Sequence, residues 1–364
     1  MLESRVFGPF PSRLVQPEWK NMKRHSPHLS WNVQSAAALV LLLFGLGHAG
    51  AQRDPLPSWN KGPAKQAILK FVKDTTDKNS AGYVAPEDRI ATFDQDGTLW
   101  TEQPLYGQAM FAFDRVGKLA AQHPEWRQQQ PFQAVLEGDH QAMARFTEAE
   151  WMQIIAVTHA GMSTQEFENL VTERITTAKA PRFNRPFTDL VYQPMLEVMR
   201  YLREKGFRTY IVTGGGQAFV RAYSERVYGV PPEQVVGSSI VTKYQEADGK
   251  PVLMREPKVF FIDDGPGKAV GIDLFIGKRP IAAFGNSSGD AEMLQWTQAG
   301  PGARLMMLVY HDDATREYAY GPAGGLPETH VGVFPEILMA HAKKDGWVVI
   351  SMKNDWKHVF SFEK

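Results

Sequence analysis

The stretch Ala91-Thr92-Phe93-Asp94-Gln95-Asp96-Gly97-Thr98 decides how this sequence is read. Arg89 to Phe93 is short and apolar enough for a buried strand, and it ends on two carboxylates one residue apart. In open α/β sheets, ligands bind just outside the carboxyl ends of the strands. Asp94 and Asp96 therefore stand where chemistry is expected, with Gly97 allowing a tight bend directly after them. Taken alone, the segment also reads as an Asp-rich turn whose side chains merely satisfy backbone donors.

Working outward, residues 52–64 are rich in proline and polar residues and read as a linker into a helix from Lys65 to Lys73. From Tyr106 to Lys179 apolar residues recur at helical spacing, among them Met110, Phe113, Val116, Phe167, Val171 and Ile175. A helix from Met195 to Lys205, stopped by Gly206, leads into strand–helix alternation. Strands are expected at Thr209–Val212, Val235–Val241, Ile281–Phe284 and Leu305–Val309, with helices from Gly216 through Val227, over Lys268–Phe275 and over Asp290–Trp296. Repeated βα units predict an α/β fold, a doubly wound and mostly parallel sheet, built from residues 52–105 and 195–364. Residues 106–194 are then an inserted helical cap domain.

Three more strand ends carry polar residues. Thr213-Gly214-Gly215-Gly216 offers a hydroxyl and backbone N–H groups unscreened by side chains, a ready anion cradle, or else a flexible glycine turn. Lys268 opens a helix, where the helix dipole favours anions, a local conflict of the kind found at functional sites. Lys278 competes with it but precedes a strand rather than following one. Gly285-Asn286-Ser287-Ser288-Gly289-Asp290 supplies hard oxygen ligands suited to Mg²⁺, although Asp290 also stands where a helix cap would.

Acid pair, hydroxyl with N–H groups, lysine, then amide and acid, in that order on successive βα units, resemble the four motifs of the haloacid dehalogenase superfamily. The helical insertion is similar to the cap of its phosphoserine phosphatase-like members. The resemblance implies Asp94 as a nucleophile forming an aspartyl-phosphate and Asp96 as general acid and base. It implies Thr213, Gly214, Gly215 and Lys268 around the phosphate, and Mg²⁺ held by Asp94, Asp96, Asn286 and Asp290. An Asp two residues after the nucleophile points to phosphoryl transfer rather than dehalogenation. The position after Gly285 is usually Asp in the family and is Asn286 here, which brings an oxygen without a charge. Phosphotransfer and a non-catalytic phospholigand-binding role are the alternatives.

The cap boundaries direct attention to Trp100, Glu102, Met110 and Phe111 after motif one, and to Phe183, Arg185, Phe187, Tyr192 and Gln193 before the return to the core, as candidates for substrate selection. Tyr310-His311-Asp312-Asp313 follows an apolar strand and either borders the site or caps a helix over Ala314–Tyr318. Lysine plus arginine (40) balances aspartate plus glutamate (40), so no global field draws the chain onto nucleic acid, and the partner expected is a small phosphorylated substrate. Without cysteine, disulfides, thiolate catalysis and cysteine-ligated zinc are excluded. Lys23 and Arg24, an apolar run from Ala36 to Leu46, and Ala49-Gly50-Ala51 read as a secretory signal peptide cut after Ala51. That predicts a periplasmic or secreted protein with no stable membrane span after cleavage, an uncleaved anchor being the alternative. Met22-Lys23-Arg24 reads as a more natural start than Met1.

Overall fold

A computed structural model of the chain describes residues 54–143, 145–321 and 332–363. The predicted signal segment and its cleavage site lie outside the described residues. The helix α1 (Pro63–Thr76) leads to strand β1 (Ile90–Phe93). The helices α2 (Gly107–Leu119), α3 (Phe132–Glu137), α4 (His140–Met143), α5 (Glu148–His159) and α6 (Thr164–Thr177) come next. A two-residue pair, β2 (Lys179–Ala180) with β3 (Arg185–Pro186), and α7 (Gln193–Glu204) lead back to β4 (Arg208–Gly216). Then come α8 (Gln217–Arg221), α9 (Ser224–Tyr228), β5 (Val235–Ala247) and β6 (Lys250–Phe261). The chain continues through α10 (Pro266–Gly271), β7 (Ala282–Gly285), α11 (Ala291–Gln298) and β8 (Leu305–Tyr310), and ends on α12 (Glu336–Asp345), β9 (Val348–Ser351) and α13 (Met352–Asp355).

Seven strands form one sheet in the order β6-β5-β4-β1-β7-β8-β9. All neighbours are parallel except β5 and β6. The doubly wound α/β fold is therefore the one the sequence predicts. β1 lies at the centre, with Ala91 opposite both Thr209 and Ala282, and all four of its residues are buried. Burial on both faces explains why it is continuously apolar rather than alternating. Phe93 stacks on Phe284 of the neighbouring strand at 4.4 Å between ring centroids. The ladder runs one residue further, Asp94 N–H donating to the Phe284 carbonyl at 2.9 Å, which fixes the first carboxylate at the edge of the core.

The helical run after β1 has its own stops and starts. Thr147 and Ser163 each form a capping box, with Glu150 and Glu166, opening α5 and α6. Phe111, Phe167, Val171 and Ile175 join the main core, while Ala112, Val116, Trp126, Phe132 and Ile154 make a small separate one. α2 thus contributes to both.

Three expectations about elements need correction. Residues from Asp54 belong to the fold: Leu56 and Trp59 are fully buried, Trp59 lies edge-on to Trp356, and Lys65 reaches back to Asp54 and the Leu56 carbonyl. The strand expected to end at Val241 runs on to Ala247 and turns back into β6 through Asp248 and Gly249, both at positive φ. That is the two-residue turn matching the twist of a hairpin. The glycines of 214–216 end β4 and lead directly into α8, with Gly216 as its cap, but the helix expected through Val227 is two short ones broken at Ala222 and Tyr223.

The N-terminal segment is fastened by a buried carboxylate. Glu197 accepts from the Ser58 N–H at 2.9 Å and the Ser58 hydroxyl at 2.7 Å. Glu197→Ala leaves both donors buried without an acceptor and is expected to lower stability by about 2–3 kcal/mol, with Glu197→Gln losing less. Denaturant unfolding measures the difference; equal stability of the alanine variant would refute this fastening.

Candidate active site

The carboxyl ends of β1, β4 and β7 converge on one cavity, and Asp94, Asp96, Thr213 and Lys268 all line it. Lys268 is the centrepiece. Its Nζ lies 2.6 Å from Asp94 Oδ1 and 2.6 Å from Asp290 Oδ1, and the ammonium is almost fully buried. Burial alone would lower its pKa, but Asp290 and Asp94 outweigh that and hold it above its usual value. Asp94 is pushed well above the ordinary carboxylate range, first by burial and then by Asp290, with Lys268 opposing. Lys278, the competing lysine, is exposed and pairs with Asp88, away from this cluster.

Asp96 sits across the bend. The Trp100 indole N–H donates to its Oδ1 at 2.7 Å, and its pKa is raised to about 6, by burial first, with Trp100 and Lys268 pulling it down. Trp100 in turn stacks on Tyr223 at 5.2 Å, so the indole that holds Asp96 is itself held by the core. Gly97 has φ +74, and a Cβ there would overlap Asn286 Nδ2 and Glu102 Oε1. Only glycine satisfies both the backbone and the space.

Asp290 has both oxygens engaged. Oδ1 faces Lys268, and Oδ2 accepts from the backbone N–H groups of Asn286 and Ser287 at 2.9 and 3.0 Å. Asn286 accepts from Thr98 at 3.1 Å and donates to Glu102 Oε1 at 2.8 Å. Glu102 also accepts from the Tyr320 hydroxyl, and burial raises its pKa well above the usual value. Asp94 and Asp290 thus share one buried lysine, with the carboxyls of Asp96 and Glu102 close to Asp94. His311 closes the arrangement from behind, its Nε2–H donating to the Gly97 carbonyl at 2.7 Å. Asp312 and Asp313 turn away, Asp312 to Ser351 and Lys353 N–H, Asp313 to the N–H groups of Thr315 and Arg316.

The N–H groups near the expected anion cradle are tied off by side chains. Gly215 N–H donates to Thr213 Oγ1 at 3.0 Å, and Gly216 N–H to Gln108 Oε1 at 2.6 Å. Gln108 then contacts His159 Nε2 at 3.0 Å. Thr158 gives its hydroxyl proton to the Ile154 carbonyl and so receives the His159 Nδ1–H, at 2.7 Å, leaving Nε2 to accept from Gln108. This neutral ring agrees with a pKa pushed down to about 3 by burial, Arg255 and Arg115.

Of the residues proposed to select substrate, Glu102 and Met110 border the cavity. Trp100, Phe111, Phe187 and Tyr192 are buried in the core instead, and Gln193 bonds to Glu197 at the start of α7. Arg185 lies over the Phe362 ring and Phe183 packs on Phe360, both away from the cavity. Two other arginines do line it, Arg221 from α8 and Arg255 from β6; Arg255 reaches into the helical part as well. Its Nε donates to the His159 carbonyl at 2.6 Å and its plane covers Phe167 at 4.0 Å. Gln108, His159 and Arg255 carry no sequence signature. Each is a single polar residue within an otherwise ordinary helix or strand pattern.

The family model for haloacid dehalogenase-like hydrolases matches residues 91–295. No curated protein matches the sequence. Among solved structures, a protein with unknown function from Bordetella pertussis Tohama I is similar at 16% identity, over 72% of this chain and 97% of that one, with a TM-score of 0.43. A functionally unknown protein from Anaerococcus prevotii DSM 20548 is similar at 14% identity, over 83% and 96%, with a TM-score of 0.49. Phosphoserine phosphatase from T. onnurineus is similar at 15% identity, over 63% and 88%, with a TM-score of 0.31.

Just ahead of Lys268, Asp263 is fully buried and neither carboxyl oxygen finds a well-formed hydrogen bond. Its pKa is pushed up to about 7, by burial first, with Lys268 opposing and Asp264 adding. A carboxyl whose folded pKa is raised stabilises fully below its unfolded pKa, and that contribution is lost as pH climbs through the folded value. Asp263→Asn should therefore gain stability relative to the parent protein at pH 8 compared with pH 4.5, by about 2–4 kcal/mol. Unfolding curves at both pH values decide; a difference independent of pH would refute it.

Proposed function

The chain belongs to the haloacid dehalogenase-like hydrolases, and from that premise we propose that it is a Mg²⁺-dependent phosphomonoesterase working through an aspartyl-phosphate on Asp94. The observation that carries the reading is the pairing at the end of β1. Asp94 is fixed by Lys268, while Asp96, one bend away, has a pKa raised to about 6. The two carboxylates are held by different partners, Asp94 by Lys268 and Asp96 by the Trp100 indole, which suits separate roles, and a cation beside Asp94 would favour its ionised form.

In this reading a carboxylate oxygen of Asp94 attacks phosphorus and the ester P–O bond breaks. Asp96 gives its proton to the departing alkoxide. Water then attacks the phosphorus of the acyl phosphate, Asp96 takes a proton from it, and phosphate leaves with Asp94 restored. Lys268 and the Thr213 hydroxyl offset charge on the phosphoryl oxygens, and the N–H groups of Gly214 and Gly215 serve the same end, Gly215 exchanging its bond to Thr213 for one to phosphate.

The residues present fit a divalent cation. Lys268 is shared by Asp94 and Asp290, and Asp96 and Glu102 line the same cavity, so acidic groups outnumber the one ammonium there. Among the described residues no three acidic or histidine side chains form a ready cage. Mg²⁺ takes one or two carboxylates and keeps several waters, so it does not require such a cage. Asp94, Asp96 and Asn286 would hold it, with Asp290 engaged in positioning Lys268 and the Asn286 loop. When bound, Mg²⁺ would neutralise phosphoryl oxygen charge and orient the phosphate.

Residues 106–194 are read as the cap over this site, and the apolar run before Ala51 as an export signal, making the protein periplasmic or secreted. No described helix is long and apolar enough to cross a membrane.

On a chromogenic aryl phosphate with Mg²⁺, Asp94→Asn is expected to abolish turnover, and Asp96→Asn to lower kcat by about 10²–10⁴-fold. Chelation should silence the parent protein and added Mg²⁺ restore it. Turnover that survives Asp94→Asn, or is indifferent to chelator, would defeat the mechanism.

A further inference from the structure

The cavity above Asp94 measures ≈ 1480 Å³. Sites for small molecules usually span about 300–1000 Å³, so a phosphate with a few carbons would fill a small part of it. Polar groups form the floor, and although Arg221, Thr242 and Arg255 add polar atoms to the walls, the lining as a whole is mostly apolar. Away from the floor, one wall comes from the helices, where Phe113, Phe146 and Trp151 form a ring cluster, Phe113 stacked on Trp151 at 5.5 Å. The other wall is the β5–β6 hairpin. The two are joined where Gly161 N–H donates to the Arg255 carbonyl and Arg255 N–H to the Met162 carbonyl, each at 2.9 Å. Arg255 serves this joint with its side chain as well, through the His159 carbonyl and the face of Phe167.

The rim of the cavity is apolar and open to solvent. Leu253, Phe260, Ile262 and Phe275 line the cavity and are nevertheless 46%, 68%, 48% and 46% exposed. Large exposed apolar patches mark places where something apolar binds. Here the patch is continuous with the interior of a site whose floor carries phosphoryl-transfer chemistry. A compact polar substrate would touch none of it.

We propose that the cavity accepts a phosphomonoester whose alcohol carries a long or bulky hydrocarbon, the phosphate at Asp94 and the hydrocarbon passing between the two walls to the hairpin rim. This rests on the phosphatase reading above and names the substrate class for that same site. A second copy of the chain covering the rim is the competing occupant, and it would leave chain length without effect.

The test compares n-butyl with n-dodecyl phosphate on the full chain with Mg²⁺, each below its micelle concentration, with phenyl phosphate as the reference for phosphatase activity. A methylene removed from water favours binding roughly fourfold when fully buried. Eight methylenes, even partly buried, should raise kcat/KM at least about 100-fold, mostly through KM. Phe260→Asp and Leu253→Glu should each shrink that ratio tenfold or more. A flat dependence on chain length, with phenyl phosphate still hydrolysed, overturns the substrate class and leaves the phosphatase reading standing. No turnover of any ester removes the phosphatase reading instead. Calorimetry with n-dodecylphosphonate against n-butylphosphonate then decides, equal or absent binding overturning the proposal and preferential binding of the longer supporting it. Faster hydrolysis of n-dodecyl phosphate from phosphatidylcholine vesicles than from free solution identifies a lipid surface as the source, and the reverse a dissolved amphiphile; both support the class. Light scattering that shows a dimer dissolved by Phe260→Asp, together with a flat chain-length dependence, assigns the rim to a second copy and overturns it.

Discussion

A single ammonium group holds the floor of this molecule together. Lys268 reaches Asp94 at the end of β1 and Asp290 at the head of α11, each at 2.6 Å, in a place almost closed to water. Removing one partner from a buried ion pair leaves an uncompensated charge and is far more costly than an exposed pair is worth. The lysine therefore dictates where α10 and α11 sit against the sheet as much as it dictates local charge. Asp290 extends that constraint through the N–H groups of Asn286 and Ser287, fixing the loop after β7. Gly97 and Gly285 are the spaces into which these groups fit, since a Cβ at either would overlap them.

Around that floor, the protein builds its site from two additions to the sheet. The helices between β1 and β4 supply Gln108, which occupies the Gly216 N–H, and His159, which accepts from Gln108. The hairpin between β5 and β6 supplies Arg255, which fastens to those helices. The sheet provides the chemistry, and the two additions provide the volume and the apolar lining. Electrostatics and shape are thus set by different parts of the chain.

Most of the candidate site was legible in the sequence because it lies at or just beyond strand ends, where polar residues interrupt apolar runs. Asp94, Asp96, Thr213, Lys268, Asn286 and Asp290 could be found this way, and the parallel central sheet could be read from repeated βα units. The hairpin was not read, because Thr242 to Ala247 is exposed and shows no alternation, and Pro251 and Pro257 argue against a strand. Asp248-Gly249 was the available signal for its turn. Residues 52–64 read as linker from composition, while two side chains, Leu56 and Trp59, decide that the segment from Asp54 packs. Gln108, His159 and Arg255 depend on contacts across 51 to 108 residues of chain, which no local pattern records.

The central claim is covalent chemistry on Asp94. Quenching the protein in acid during turnover of an aryl phosphate, followed by peptide mass spectrometry, reads the site directly. The account predicts a phosphoryl group on the peptide at Asp94 and on no other residue. Turnover with the adduct elsewhere, or single-turnover conditions that yield phosphate with no adduct at any time, would contradict it.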